Sequence, residues 1–89
     1  MLYKVLLKSS AAKFLDRISQ KDYKIISFHI ANLANEPRPL NSKKILSNKN
    51  NIYRIRIGRF RIIYVIDDNN KTVNILEVKL RREDTYRGF

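Results

Sequence analysis

The sequence predicts an α+β fold in the order β-α-α-β-β-β, with an antiparallel sheet that carries an N-terminal helical hairpin on one face. Two patterns predict it. Residues 52–66 alternate with period two on either side of Gly58 and Arg59, whereas residues 10–35 place apolar side chains at helical spacing. The chain has 89 residues, the size of one small domain, so we expect residues 1–89 to form a single domain.

The first strand and the first helix are both short. Residues 2–7 are apolar apart from Lys4, which is typical of a strand. Residues 10–18 are predicted to form an amphipathic helix that Ser9 or Ser10 caps. Its apolar stripe comprises Ala11, Phe14, Leu15 and Ile18.

The second helix is predicted to span residues 20–35, with Ser19 as its cap. Pro37 forces the preceding residue out of helical geometry and ends it. Residues 36–51 follow as an irregular basic connector, of a length that is often functional. The apolar stripe of this helix comprises Tyr23, Ile26, Ile30, Leu33 and Ala34.

The central hairpin gives the sheet two unlike faces. A two-residue loop with Gly58 first suits a type II′ turn, which sets Ile57 opposite Phe60 and Arg56 opposite Arg61. One face is then uncharged and comprises Tyr53, Ile55, Ile57, Phe60, Ile62 and Tyr64. The other face carries three arginines: Arg54, Arg56 and Arg61.

A further strand is predicted over residues 72–80, antiparallel to the second hairpin strand. Its period-two alternation places Leu76, Val78 and Leu80 on the core face. The side chains between them then lie on the face that carries the arginines. In this register Glu77 lies near Arg61. The side chains expected on the arginine face are Val73, Ile75, Glu77 and Lys79.

The composition indicates an anionic partner. The net charge is +11, which fits nucleic acid, an anionic membrane surface or an acidic protein. Basic residues interleaved with Tyr and Phe on a sheet favour nucleic acid. The residues that we expect to bind it are Lys43, Lys44, Lys49, Arg59 and Lys79. The chain has no cysteine and no apolar run of 18 residues, so we expect a soluble cytoplasmic protein without a membrane partner.

The opposed pair Arg56 and Arg61 suggests a phosphate site. Like charges repel across a hairpin, and an anion between them converts this repulsion into attraction. The alternative is that these arginines are simply solvated on an exposed face. The sequence shows no metal-ligand set, cofactor motif or nucleophilic triad, and we expect no cofactor.

Arginines around a phosphate suit one metal-free reaction, the attack of an RNA 2′-hydroxyl on its neighbouring phosphate. The protein then needs to orient the hydroxyl, stabilise the phosphoryl charge and move protons. Guanidinium groups transfer protons poorly, so Tyr86 or Lys79 is the better candidate for that role.

The chain resembles the RelE/ParE superfamily of toxins from toxin–antitoxin systems. Two motifs carry the resemblance. They are residues 53–64, Tyr-Arg-Ile-Arg-Ile-Gly-Arg-Phe-Arg-Ile-Ile-Tyr, and residues 81–86, Arg-Arg-Glu-Asp-Thr-Tyr. The resemblance implies a small antitoxin partner with an acidic or amphipathic segment. For RelE-like members it also implies mRNA cleavage on the ribosome, making the protein an endoribonuclease.

The resemblance also implies roles for individual residues. Arg61 matches the arginine that stabilises the transition-state phosphate, and Arg54 and Arg56 match basic strand residues that contact phosphate and assist proton transfer. Tyr86 matches the tyrosine that orients or activates the 2′-hydroxyl. Either Arg81 or Arg82 matches the arginine that assists the leaving 5′-oxygen.

Two alternatives remain open from the sequence. ParE-like members share the fold but inhibit DNA gyrase, and a degenerate toxin would be only a basic nucleic-acid-binding domain. RelE itself carries lysines where this chain has Arg54 and Arg56, which leaves the general base unassigned.

Overall fold

The computed structural model describes residues 2–45 and 51–80, which contain two helices and five strands in the predicted α+β arrangement. In chain order these elements are β1 (Lys4–Leu7), α1 (Ser9–Leu15), α2 (Gln20–Asn32), β2 (Ser42–Lys44), β3 (Ile52–Ile57), β4 (Phe60–Asp67) and β5 (Thr72–Leu80). Neither helix in the described residues is long and apolar enough to cross a membrane.

The five strands form one mixed sheet in the order β1-β5-β4-β3-β2. Three of its pairings are antiparallel, as predicted, but β1 runs parallel to β5, with Lys4 aligned to Thr72. The prediction of a wholly antiparallel sheet is therefore wrong at this edge. A short apolar run fits either direction equally well, because the partner strand determines the direction.

The connector after α2 is more regular than predicted. Residues 42–44 form β2, which pairs antiparallel with β3 and aligns Lys43 with Arg54. The side chain of Ser42 donates a hydrogen bond to the Pro39 carbonyl at 2.7 Å, which tightens the chain just before the strand. A strand of three residues is too short to show a period-two pattern.

Both helices are shorter than predicted, ending at Leu15 and Asn32. The Ser19 hydroxyl accepts a hydrogen bond from the Asp22 N–H at 3.1 Å, so the predicted cap of α2 is confirmed. The predicted serine cap of α1 is wrong, because Lys8 occupies that position without a side-chain bond. Ser10 instead donates to the Leu76 carbonyl at 3.1 Å.

The core lies between the helices and one face of the sheet. The hairpin register is the predicted one, with Arg56 opposite Arg61 and Ile57 opposite Phe60. Gly58 has a φ of 58°, as its position in the turn requires. The buried residues are Ala11, Leu15, Ile26, Ile30, Leu33, Ile55, Ile57, Phe60, Ile62, Tyr64, Ile66, Val73, Ile75 and Val78.

A β-bulge in β5 corrects the predicted faces of that strand. Tyr64 aligns with Ile75 and Ile63 aligns with Glu77, so Leu76 is an extra residue without a partner on β4. Val73 and Ile75 are consequently buried in the core rather than placed beside the arginines. Val78 is also buried, as predicted, whereas Leu76 is half-buried and Leu80 is exposed.

Candidate nucleic-acid interface

The sheet face that points away from the helices carries two neighbouring rows of basic side chains. In the first row, Lys43 on β2 aligns with Arg54 on β3. In the second row, Arg56 on β3 aligns with Arg61 on β4, and Arg61 aligns with Lys79 on β5. Side chains two residues apart on a strand point to the same face. We call this surface the basic face, and it comprises Lys43, Arg54, Arg56, Arg61 and Lys79.

Arg61 is partly enclosed within the second row. The residue is half-buried, and its Nε atom is fully covered without a hydrogen-bond partner among the described residues. Arg56, directly opposite, is exposed. Covering a guanidinium nitrogen without a partner is unfavourable, and so is the repulsion between two arginines. The repulsion falls if an anion binds between these two side chains.

Glu77 lies at the end of the first row and adds one negative charge to this surface. It aligns with Ile63, which in turn aligns with Arg54. Its Oε1 atom is 3.6 Å from the Lys79 Nζ atom, and both side chains are nearly half exposed. An ion pair of this length and exposure is weak. The sequence predicted Glu77 and Lys79 on this face, and the bulge is what directs them there.

Arg59 does not join the basic face. It lies in the hairpin turn, where its Nη2 atom is 3.3 Å from the Asp22 carboxylate at the start of α2. Its guanidinium carbon is also 5.5 Å from the centre of the Phe60 ring. The side chain is 72% exposed and belongs to the helical side of the molecule, away from Arg56 and Arg61.

The other predicted RNA-binding and catalytic residues divide into two groups. Lys44 aligns with Tyr53, so alternation directs it to the face opposite Lys43, although it is exposed at the sheet edge. The remaining ones lie outside the described residues: Lys49, Arg81, Arg82 and Tyr86.

Arg38 has a structural role that the sequence did not indicate. Its guanidinium donates to the Asp68 carboxylate at 2.9 Å and to the Tyr53 hydroxyl at 3.0 Å. The Tyr3 hydroxyl donates to the same carboxylate at 2.6 Å. The Arg38 and Tyr3 bonds hold the pKa of Asp68 below its ordinary value, and the Asp68 bond raises the pKa of Arg38. A basic residue in a proline-rich connector carries no sequence signal for this network.

The chain matches a known family over most of its length. The family model described as "ParE toxin of type II toxin-antitoxin system, parDE" matches residues 5–85. The chain belongs to the RelE/ParE superfamily of toxins. The resemblance that the hairpin and C-terminal motifs suggested is thereby confirmed.

Relatives of this RelE/ParE-superfamily chain include proteins named RelE. Toxin RelE of Mycobacterium tuberculosis (strain ATCC 25618 / H37Rv) is 30% identical over 86 residues, which are 96% of this chain and 87% of the relative. In the archaeal RelE–RelB complex from Pyrococcus horikoshii OT3, the matching chain is 26% identical with a TM-score of 0.83, and the match covers 93% of this chain and 99% of that one.

A second structural relative comes from a bacterium. It is a chain of the toxin–antitoxin complex RelBE2 from M. tuberculosis, 27% identical with a TM-score of 0.75. The match covers 91% of this chain and 100% of that chain. The α+β fold is therefore shared with RelE chains crystallised as parts of toxin–antitoxin complexes.

Proposed function

We propose that this protein is the toxin of a type II toxin–antitoxin pair and that it cuts mRNA bound to the ribosome. The cut is made by the 2′-hydroxyl of the substrate itself, which attacks the adjacent phosphate. Because the proposed target is mRNA on the ribosome, the protein would act in the cytoplasm. Family membership supports the toxin role, and the basic face supports the endoribonuclease activity.

One observation carries the proposal, namely the arrangement of Arg56, Arg61 and Lys79 in a single row across three strands. A phosphodiester that enters this row meets guanidinium groups on two sides. The phosphate oxygens accept hydrogen bonds from both guanidinium groups, and their negative charge neutralises the repulsion between Arg56 and Arg61. The paired strands also fix the backbone positions of these residues, which helps to preorganise them around a developing charge.

The described residues serve two parts of the reaction. Arg61 and Arg56 stabilise the negative charge that accumulates on the phosphoryl oxygens in the transition state. Arg54 and Lys43, in the neighbouring row, hold an adjacent backbone phosphate and so fix the position of the scissile bond. The products are a 2′,3′-cyclic phosphate and a 5′-hydroxyl, because the 2′-oxygen remains bonded to phosphorus.

The residues outside the described part of the chain complete the proposal. Tyr86 orients the 2′-hydroxyl for its attack, and Arg81 or Arg82 assists the leaving 5′-oxygen. Lys49 would bind RNA. Two described residues, Lys44 and Arg59, would bind RNA or the ribosome away from the basic face. The roles of Tyr86 and of Arg81 or Arg82 follow the family resemblance, and those of the other three residues follow the distribution of positive charge.

An antitoxin is the second proposed partner. The relatives from P. horikoshii and M. tuberculosis are chains of toxin–antitoxin complexes. The net charge of +11 favours a partner with an acidic or amphipathic segment, which would fold as it binds. Such a segment would inhibit the protein by occupying or neutralising the basic face.

Cleavage on programmed ribosomes tests the proposed activity directly. Purified protein is added to ribosomes that hold a defined mRNA, and the cuts are mapped by primer extension. Naked RNA with EDTA is the control. We expect cuts in the ribosomal A site only when ribosomes are present. Folded protein that produces no ribosome-dependent cut would contradict the proposal.

The variant Arg61→Ala tests the contribution of the basic face. We expect its cleavage rate to fall by about 10²–10³-fold, because a charge-stabilising group at the transition state is lost. The matched control is Arg17→Ala, which removes an exposed arginine after α1 on the helical side. Equal rates for wild type and Arg61→Ala would refute the assignment of this site.

A second candidate function is inhibition of DNA gyrase. The observation that favours it is the family model itself, which is named for ParE. In this case the protein binds without catalysing a reaction of its own. A supercoiling assay distinguishes the two functions. Inhibited supercoiling together with no cleavage on ribosomes would favour the ParE-like function, whereas RNA binding without either effect would indicate a nucleic-acid-binding domain.

A further inference from the structure

The β-bulge at Leu76 decides which face of the sheet Glu77 occupies. Val73 and Ile75 are buried against the helices, and strict alternation would carry Glu77 into the same core. The extra residue shifts the alternation by one position. Glu77 therefore reaches the surface beside the arginines, and the large cost of burying its charge is avoided.

The bulge is held in place by the start of the helical region. The Lys8 N–H donates to the Ile75 carbonyl at 2.9 Å, and the Ser10 hydroxyl donates to the Leu76 carbonyl at 3.1 Å. The irregular part of β5 is thus fixed by two hydrogen bonds rather than left loose. Bulges are frequent beside active sites because they redirect side chains.

Glu77 is close to the groups that would bind the phosphate. It lies diagonally across from Arg61, a relationship in which Cα atoms are roughly 7–8 Å apart. Arg54 lies in the same row, beyond Ile63, and Lys79 follows on the same strand. Among the described residues, Glu77 is the one carboxylate that the strand register places in these two rows.

The proposed reaction needs a proton acceptor that the basic residues do not provide. A guanidinium group stays protonated, and lysine ammonium groups are charged at neutral pH. Glu77 is a carboxylate that is 47% exposed, and its weak ion pair with Lys79 leaves it accessible to substrate.

We propose that Glu77 is the proton acceptor for the 2′-hydroxyl, an inference that rests on the proposed endoribonuclease function. In this step the Glu77 carboxylate takes the proton from the 2′-hydroxyl while the 2′-oxygen forms a bond to phosphorus. The bond between phosphorus and the 5′-oxygen breaks, and the 5′-oxygen leaves with the electron pair. Water protonates the leaving oxygen, and Glu77 returns its proton to solvent.

Steady-state cleavage over a range of programmed-ribosome concentrations tests this role with the variants Glu77→Gln and Glu77→Asp. We expect Glu77→Gln to lower kcat by about 10²–10⁴-fold and to leave KM within about twofold. It should also lose the acid limb of the pH–rate profile, which an ionising acceptor produces. Glu77→Asp keeps a carboxylate and should retain part of the rate. The matched control is Glu36→Gln, which changes an exposed glutamate after α2.

The outcomes separate this inference from the proposed function. If the wild type cuts and Arg61→Ala does not, a Glu77→Gln variant with an unchanged kcat overturns the role of Glu77 alone. A change confined to KM overturns it too, since Glu77 would then only tune affinity. A folded wild-type protein that makes no cut overturns both proposals. Thermal unfolding of each variant verifies that a loss of rate is not a loss of fold.

Discussion

Among the residues that the structure describes, Tyr64 is the largest side chain that the core covers completely, and it also binds the connector. Its hydroxyl donates to the Pro37 carbonyl at 2.7 Å, and its ring stacks on Tyr53 with centroids 6.0 Å apart. Burial raises the pKa of Tyr64 to about 12, so the hydroxyl remains a proton donor at neutral pH. One residue therefore joins the central strand to the end of the helical region.

The variant Tyr64→Phe tests this connection. We expect the free energy of unfolding to fall by about 1–3 kcal/mol, because the Pro37 carbonyl loses its partner in a buried position. Urea denaturation measures the change. Tyr23→Phe, at an exposed position on α2, is the control and should leave the midpoint unchanged. A Tyr64→Phe variant as stable as the wild type would show that this bond contributes nothing.

The sequence correctly predicted residue positions that depend on backbone periodicity. It did not predict contacts that depend on how separate elements pack together. The pairing of Arg56 with Arg61 follows from a two-residue turn at Gly58, and the structure confirms it. The covered Nε of Arg61 depends on neighbouring strands, and the contact of Arg59 with Asp22 depends on helix placement. Neither arrangement has a local sequence signal.

The turn between β4 and β5 is tied to two other segments of the molecule through Asp68. Tyr3 precedes β1 and Arg38 lies in the connector, and both donate hydrogen bonds to this carboxylate. The Arg38 bond is the larger cause of the lowered pKa of Asp68, and the Tyr3 bond adds to it. This network fixes the connector just before β2, which carries Lys43.

The network predicts a loss of stability in acid. Because the folded-state pKa of Asp68 is below its unfolded-state value of about 3.9, the stabilisation is present above that value. It is lost as the pH falls through the folded-state pKa. We therefore expect the difference in Tm between wild type and Asp68→Asn to be constant near pH 7 and to disappear in strong acid. Thermal unfolding across this range measures it, with Asp16→Asn as the control, and a difference that persists in acid would contradict the prediction.

At the scale of elements, sequence patterns identified β1, both helices, the hairpin and β5, and they missed β2 and the bulge. Both helices, the hairpin and β5 are present, because each has enough residues for a period to be visible. The three residues of β2 are too few for that. The bulge could not be predicted from the sequence either. Either set of alternate side chains in β5 could face the core, and Leu76 is simply one more apolar residue in that strand.

Across the whole molecule, the excess of positive charge predicts binding to RNA that depends on salt. Each phosphate that a cation neutralises contributes roughly −0.7 to the slope of log K against log salt for single strands. We expect Lys43→Ala to make that slope shallower by roughly 0.7, because Lys43 aligns with Arg54 on the basic face. Fluorescence anisotropy with a single-stranded RNA measures it.

The control for the salt experiment is Lys24→Ala, which removes an exposed lysine from α2 on the other side of the sheet. Its slope should match that of the wild type. Equal slopes for Lys43→Ala and Lys24→Ala, both shallower than that of the wild type, would mean that RNA responds to net charge alone. The basic face would then have no special part in binding.

The position of β5 between β1 and β4 has a consequence for the order in which the protein becomes functional during translation. The chain is made from its N-terminus, so β1 and β4 both leave the ribosome before the strand that joins them. Until β5 has been synthesised, β1 has no partner in the sheet, and the basic face lacks Lys79 and the neighbouring carboxylate of Glu77. The complete basic face therefore forms only after nearly all of the described part of the chain has emerged from the ribosome that translates it.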